Sequence, residues 1–352
     1  MELLDRDGLY AENPEGEGTR YPGVFTAGLL YSIVVFLFLF FGTMAQSINF
    51  YSGIIITETA LILLPTIIVL AISRYELKKV LRLNKVDLFN LFLVFCIMVF
   101  SIPVAGMFNI INIWLVDHIF GRSIIVQPPA ATNLEGLLVN TLTVGLVAGV
   151  CEEVFFRGAI QRGLEKLGVA VSITLAAFLF SIMHVQFERL LGTFVLGIII
   201  GFLVYRTNSL FSGIFAHFLN NTFGVLVTFA ANKLSSISGP ASFEQNVEVT
   251  ELESFFEIFG DMSAEQMLAV IVLWIVTIAT CVFILVALLY ALVKNTKKEA
   301  AKAARREKVK KWEFLAFLPG LLLIIAMYFL QGIALKGFGS QAAKIILELI
   351  GA

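Results

Sequence analysis

The chain has 352 residues, of which 59% are hydrophobic and only 14% charged, and its mean hydropathy is +0.90. This composition excludes an ordinary soluble domain and places the chain in a bilayer, while a formal net charge of -1 excludes any overall attraction to nucleic acid. Cys96, Cys151 and Cys281 lie in apolar runs at unrelated spacings, which excludes a CxxC motif and a disulfide framework.

Residues 1–23 mix charges of both signs with several glycines and read as a polar tail, unlike the n-region of a signal peptide. The apolar runs that follow predict nine helices: Val24 to Gln46, Ile54 to Ile72, Leu88 to Leu115, Glu135 to Arg157 and beyond, Val169 to His184, Leu190 to Tyr205, Leu210 to Ala231, Ala264 to Val293, and Phe314 to Leu330. The fold class is therefore an all-α polytopic membrane protein, because a helix satisfies its own backbone in hydrocarbon. The fifth and sixth runs are short and the third and eighth long, so a merger or break would give eight or ten. The terminal "AAKIILELI" is amphipathic and suits an interface or a short last helix.

Loop charge gives the orientation. Residues 73–86 carry five basic residues and one acidic, and the basic linker 294–311 carries nine and two. Both are expected on the cytoplasmic side. Residues 232–261, with one lysine and six carboxylates, are expected outside. Nine spans satisfy all three assignments with the N-terminus inside and the C-terminus outside. The linker suits anionic lipid headgroups, with no nucleic acid as partner.

The polar groups inside the apolar runs are the candidates for chemistry. Of three histidines, His118 follows Asp117 near an outer loop, where an imidazole stays solvated, but His184 and His217 each end or interrupt an apolar helix. His217 and Asn221 share a helical face, as do Glu153 and Arg157, which can neutralise one another at i,i+4. Glu152 points elsewhere, and a carboxylate at membrane depth must be protonated, paired or wet. At 1.5 Å per residue Glu152 stops roughly 10–15 Å short of the cytoplasmic surface, while His184 and His217 rise to roughly 15–20 Å and 10–12 Å. One site can hold all three. Glu58, early in the second helix, is expected near the outer side and at the wrong depth to partner Glu152.

A glutamate, two histidines and an asparagine suit amide hydrolysis, with the carboxylate and one imidazole activating water and His217 with Asn221 meeting the developing oxyanion. The alternative is Zn²⁺ held by Glu152, His184 and His217, although the compact HExxH arrangement is absent. An aspartyl mechanism needs two membrane aspartates, and Asp5, Asp7, Asp87, Asp117 and Asp261 all lie in the tail or near helix boundaries.

"EEVFFR" (152–157), "FSIMH" (180–184) and "HFLNN" (217–221) resemble the EExxxR, FxxxH and HxxxN motifs of the CPBP family, also called the CAAX protease and bacteriocin-processing, or Abi, family. The resemblance covers about residues 135–231, so the chain divides into a tail (1–23), N-terminal helices (24–134), a CAAX-protease-like catalytic core (135–231), an acidic outer loop (232–263) and C-terminal helices with the basic linker (264–352). It implies a plasma-membrane intramembrane endopeptidase whose site opens to the cytoplasm. Its substrate would be a lipidated or other membrane peptide, while a bacteriocin-immunity or scaffold role is the alternative. Carried over, Glu152 is the general base with His184 as its partner. His217 and Asn221 stabilise the oxyanion, and Glu153, Arg157 and Phe180 organise the site.

Overall fold

A computed structural model describes residues 20–126, 129–238, 247–250, 262–297, 308–337 and 340–341. Residues 1–19 of the tail, most of the acidic segment, the centre of the basic linker and "AAKIILELI" lie outside the described residues. Eight helices are long and apolar enough to cross a membrane: α1 (Val24–Ile48), α2 (Phe50–Ile72), α3 (Leu88–Phe120), α4 (Leu134–Leu167), α6 (Phe187–Thr207), α7 (Leu210–Ser238), α8 (Ala264–Asn295) and α9 (Lys311–Lys336). Among the described residues the shorter α5 (Val169–Met183) brings the apolar helices to nine, and His184 caps it instead of belonging to it. The chain is thus an all-α multi-pass membrane protein, to which one small antiparallel ribbon is added, β1 (Ser123–Val126) with β2 (Val247–Thr250). Ser123 faces Thr250 and Val126 faces Val247 in its register.

The helices end where the sequence supplies caps. Asn49, Asp87, Asn133 and Ser263 each accept a hydrogen bond from a backbone N–H in the first turn of the helix they precede. Gly121 stops α3 and Asn208 stops α6 in the left-handed conformation that C-termini favour.

α4 is the central post. Its side chains Phe155, Phe156, Ile160 and Leu164 are buried in a core shared with Val24, Leu30, Tyr31 and Val34 of α1 and Leu179 and Phe180 of α5. Tyr31 donates from its hydroxyl to the Leu179 carbonyl at 3.1 Å, fixing α1 on α5. A second core joins α3, α6 and α8 through Val94, Ile97, Met98, Ile200, Leu203 and Leu285. α7 packs against α4, α6 and α3, so α4, α5, α6 and α7 surround one region. Away from it the helices show lipid their apolar side chains, with Leu273 and Phe283 of α8 67% and 76% exposed. Lipid offers no penalty for that, and the same exposure in water would be a liability.

Charge is buried at one end of the bundle. Arg82 in the basic loop and Arg162 near the end of α4 each place Nη1 2.7 Å from a Glu165 oxygen, and all three side chains are almost completely enclosed. Burial pulls the Arg82 guanidinium below its ordinary value, and the neighbouring Glu165 charge opposes that pull. Arg82 Nε also donates to Asn208 Oδ1 at 3.1 Å, and Asn84 Nδ2 donates to the Asn208 carbonyl at 2.8 Å. The basic loop is thereby fastened to the α4 end and to the α6–α7 turn.

Two helices contain wide π-type turns that matter for the site. In α2 the wide turn spans Thr57–Leu63, and in α4 one spans Val154–Gln161, directly after the glutamate pair. Such turns rotate the side chains that follow them and recur at functional sites.

The expected depth of Glu58 is corrected here. The tight α1–α2 turn at Asn49 lies alongside α4 and not above it: Phe50–Ile56 pack on Thr141–Val147, and Thr57–Leu63 pack on Ala148–Glu153. The two helices run side by side, but α4 begins about two turns earlier, with Leu134–Asn140. Equating the two helix starts put Glu58 too far from Glu152. Glu58 is 7% exposed and close enough to Glu152 for the two carboxyls to interact electrostatically.

Candidate active site

The inner layer of the site is an ion pair with a histidine on it. Glu153 is fully buried, and its Oε1 accepts from Arg157 Nη1 at 2.8 Å and from His217 Nδ1 at 2.9 Å. Arg157 also donates from Nη2 to the Gly197 carbonyl at 3.2 Å, so its fork ties α4 to α6 while the carboxylate ties α4 to α7. Gly197 permits this approach: a β-carbon there would lie 3.0 Å from that of Ala177 on α5.

Phe180 gathers the cationic and imidazole groups. Its ring meets His184 edge-on with centroids 4.8 Å apart, meets His217 at 5.7 Å, and lies 4.7 Å from the Arg157 guanidinium carbon. Phe156 closes the other side at 5.0 Å. An aromatic edge and face serve different neighbours here, which lets one apolar ring hold three polar groups.

Hydrogen bonding orients both imidazoles. His184 Nδ1 is 2.9 Å from the Phe180 carbonyl, which can only accept, so Nδ1 carries the hydrogen and Nε2 faces away. The Glu153 carboxylate fixes His217 in the same sense. His217 Nε2 then lies 3.9 Å from Glu152 Oε2, an ion-pair distance and not a hydrogen bond. Glu152 is the exposed member of the glutamate pair, its side chain 16% accessible, although its Oε2 is buried and makes no hydrogen bond within the protein. His184 lies near enough to Glu152 and His217 to interact with both electrostatically.

Asn221 is one turn from His217. Its Nδ2 donates to the Val144 carbonyl of α4 at 2.9 Å, and its Oδ1 accepts from Asn220 at 3.1 Å. One of its two amide hydrogens remains for a ligand. The structure thus brings Glu152, Glu153, Arg157, Phe180, His184 and His217 into one cluster on α4, α5 and α7, with Asn221 on the α4–α7 seam beside it.

Among the described residues no three His, Cys, Asp or Glu side chains gather as a metal site. With Nδ1 committed to the Phe180 carbonyl or the Glu153 carboxylate, each imidazole keeps Nε2 for a proton or a ligand, and no step below runs through a metal.

Two residues were missed in the sequence. Glu58 was noticed but placed at the wrong depth. Gly213, one turn before His217, gave no signal, because small residues are common in membrane helices. A β-carbon at 213 would lie 2.7 Å from Glu153 Oε2 and 2.5 Å from Val204 Cγ2. Both neighbours are held in place, Glu153 by two partners and Val204 by complete burial. Gly213→Ala is expected to cost about 1–3 kcal/mol and to lower activity together with stability, as checked by melting in detergent and by peptide cleavage.

Residues 134–223 match the family model described as type II CAAX prenyl endopeptidase Rce1-like. The matched stretch runs from the start of α4 into α7 and holds every residue of the three motifs. It supports a CAAX-type intramembrane endopeptidase in general. No curated protein and no solved structure matches the chain.

Proposed function

We propose that this chain, through the α4–α7 region that matches the Rce1-like endopeptidases, hydrolyses a peptide bond with water activated by Glu152. The observation that carries the reading is the division of labour in the glutamate pair. Glu153 is fully enclosed and its Oε1 takes both Arg157 and His217, whereas Glu152, one position earlier, is partly accessible and makes no hydrogen bond through Oε2.

In this reading Glu152 takes a proton from water as the water oxygen bonds to the scissile carbonyl carbon, and His184 Nε2 accepts a hydrogen bond that orients the same water. The carbonyl π electrons move onto oxygen. His217, donating through Nδ1 to Glu153 and in its doubly protonated form through Nε2, meets that oxyanion with the remaining Asn221 N–H. Collapse of the tetrahedral intermediate breaks the carbon–nitrogen bond, and the proton held by Glu152 passes to the leaving amine. Phe180 and Arg157 keep the two imidazoles in register.

The substrate is a membrane-associated or lipidated peptide that presents its scissile bond from the cytoplasmic side. The loop charges and the buried Arg82–Glu165–Arg162 network support that orientation, since the basic loop 73–86 lies at the end of the bundle toward which α4 runs from Glu152. The protein would sit in the plasma membrane with the basic linker against anionic headgroups.

The test is incubation of the purified protein with a prenylated CAAX peptide and a pool of membrane peptides in ¹⁸O-enriched water, with zinc content measured on the same sample. The expected result is a new C-terminus bearing one ¹⁸O atom at negligible zinc. A pool left intact would favour a binding scaffold on the same fold, and cleavage proportional to bound zinc would replace the water–glutamate scheme with a metal-assisted one.

A further inference from the structure

Glu58 is a third carboxyl at the site, and it comes from a helix outside the matched region. It lies on the wide turn of α2 that packs against Ala148–Glu153 of α4. Its side chain is 7% exposed, flanked by Thr57 at 1% and with Ile62 a turn further at 2%, so water does not solvate it freely. Its Oε2 is buried and makes no hydrogen bond within the protein, and the same is true of Glu152 Oε2. The two carboxyls are near enough to interact, and Cys151 is the other titratable group that feels both.

A carboxyl enclosed in this way is costly unless something hydrogen-bonds to it, and here each of two enclosed oxygens lacks a hydrogen-bonding partner, on helix segments that pack against one another. Arg157, the cation nearest in sequence to Glu152 on α4, is engaged by Glu153 and the Gly197 carbonyl. A hydrogen shared between the two carboxyls, or one water between them, satisfies both at once. It would also limit the rotation of Glu152, whose Oε2 lies 3.9 Å from His217 Nε2.

We propose that Glu58 is a positioning residue of the hydrolytic site, holding the Glu152 carboxyl directly or through one water in the orientation from which it takes a proton. The proposal rests on the hydrolytic reading above. It extends the site to α2, so that the N-terminal helices serve as a wall of the reaction chamber as well as a scaffold for it.

The test compares Glu58→Leu, which keeps volume and removes hydrogen bonding, with Glu58→Gln, which keeps a hydrogen-bonding head. Glu58→Leu is expected to lower kcat by about 10–100-fold with KM unchanged, since a mispositioned base affects the chemical step more than binding. Glu58→Gln is expected to stay within about threefold of the wild type, as rescue by an amide that can still bond Glu152. Melting of Glu58→Leu, Glu152→Leu and the double variant, each of which removes the shared contact, gives a readout independent of turnover. The shifts are expected not to add, because the two side chains share one contact. Full turnover by Glu58→Leu overturns the positioning role, as does a Glu58→Gln variant as slow as Glu58→Leu. Additive melting shifts overturn the contact itself. A wild type that cleaves nothing overturns the hydrolytic reading, and the melting cycle still decides whether the two carboxyls meet.

Discussion

Glu152→Gln is expected to lower peptide cleavage by about 10²–10⁴-fold while leaving the melting point close to that of the wild type. The asymmetry follows from position. Glu152 makes no hydrogen bond within the protein through Oε2 and is the accessible partner of the pair, so its loss as a base removes little that holds the helices together. An amide has nearly the same shape but no basic oxygen, so it cannot take the water proton. Single-turnover assays on the folded variant check this: a variant that cleaves like the wild type would eliminate Glu152 as the base. The adjacent carboxylate provides the control, because Glu153→Gln is expected to damage folding as well as activity.

The second large effect is on stability. Arg157→Leu leaves Glu153 fully buried with His217 as its remaining partner, and removing one half of a buried pair costs about 3–5 kcal/mol. The penalty comes mainly from the orphaned carboxylate. The double variant Glu153→Gln, Arg157→Leu is therefore expected to melt higher than Arg157→Leu alone, and thermal unfolding in detergent of all three variants checks the order. Arg157→Lys is expected to fall between, because an ammonium reaches Glu153 or the Gly197 carbonyl, whereas the guanidinium fork bonds both, at 2.8 and 3.2 Å. A lower melting point for the double variant than for Arg157→Leu would show that the carboxylate carries no such penalty.

Much of the fold was legible because a membrane helix announces itself through an unbroken apolar run. All nine runs became helical segments, and Asn49, Asp87 and Ser263 stand where polar caps belong. The Glu153–Arg157 pairing was legible for a local reason, since four residues on one helix face must meet. What the sequence left open was long-range. That His217 leans on Glu153 depends on how deeply α7 slides past α4, and a shift of one turn would undo it. Glu58 fell to the same difficulty, because depth was reckoned from each helix's own start, and α4 begins earlier than the α1–α2 turn. Gly213 was illegible in principle: its value lies in the Glu153 oxygen next to it, and a glycine in an apolar helix carries no mark of what it makes room for. The ribbon was missed too, since β1 and β2 are short and 120 or more residues apart in the chain.

That ribbon bears on how the molecule can move. It joins the segment after α3 to a segment before α8, and at the far end of the same two helices Asn295 Nδ2 donates to Asn90 Oδ1 at 2.9 Å. Beside the Asn90–Asn295 tie, Cys281, Leu285 and Leu292 of α8 share a core with Leu93, Val94, Ile97 and Met98 of α3. A pair tied by Asn90 and Asn295 and packed beside that tie behaves as a strut at that end, tilting as one body and not splaying there without breaking the tie. Any widening that lets a bulky chain reach Glu152 from the side is then expected across a different seam, such as that between α2 and α4, where Glu58 and Glu152 each keep a buried oxygen without a hydrogen bond.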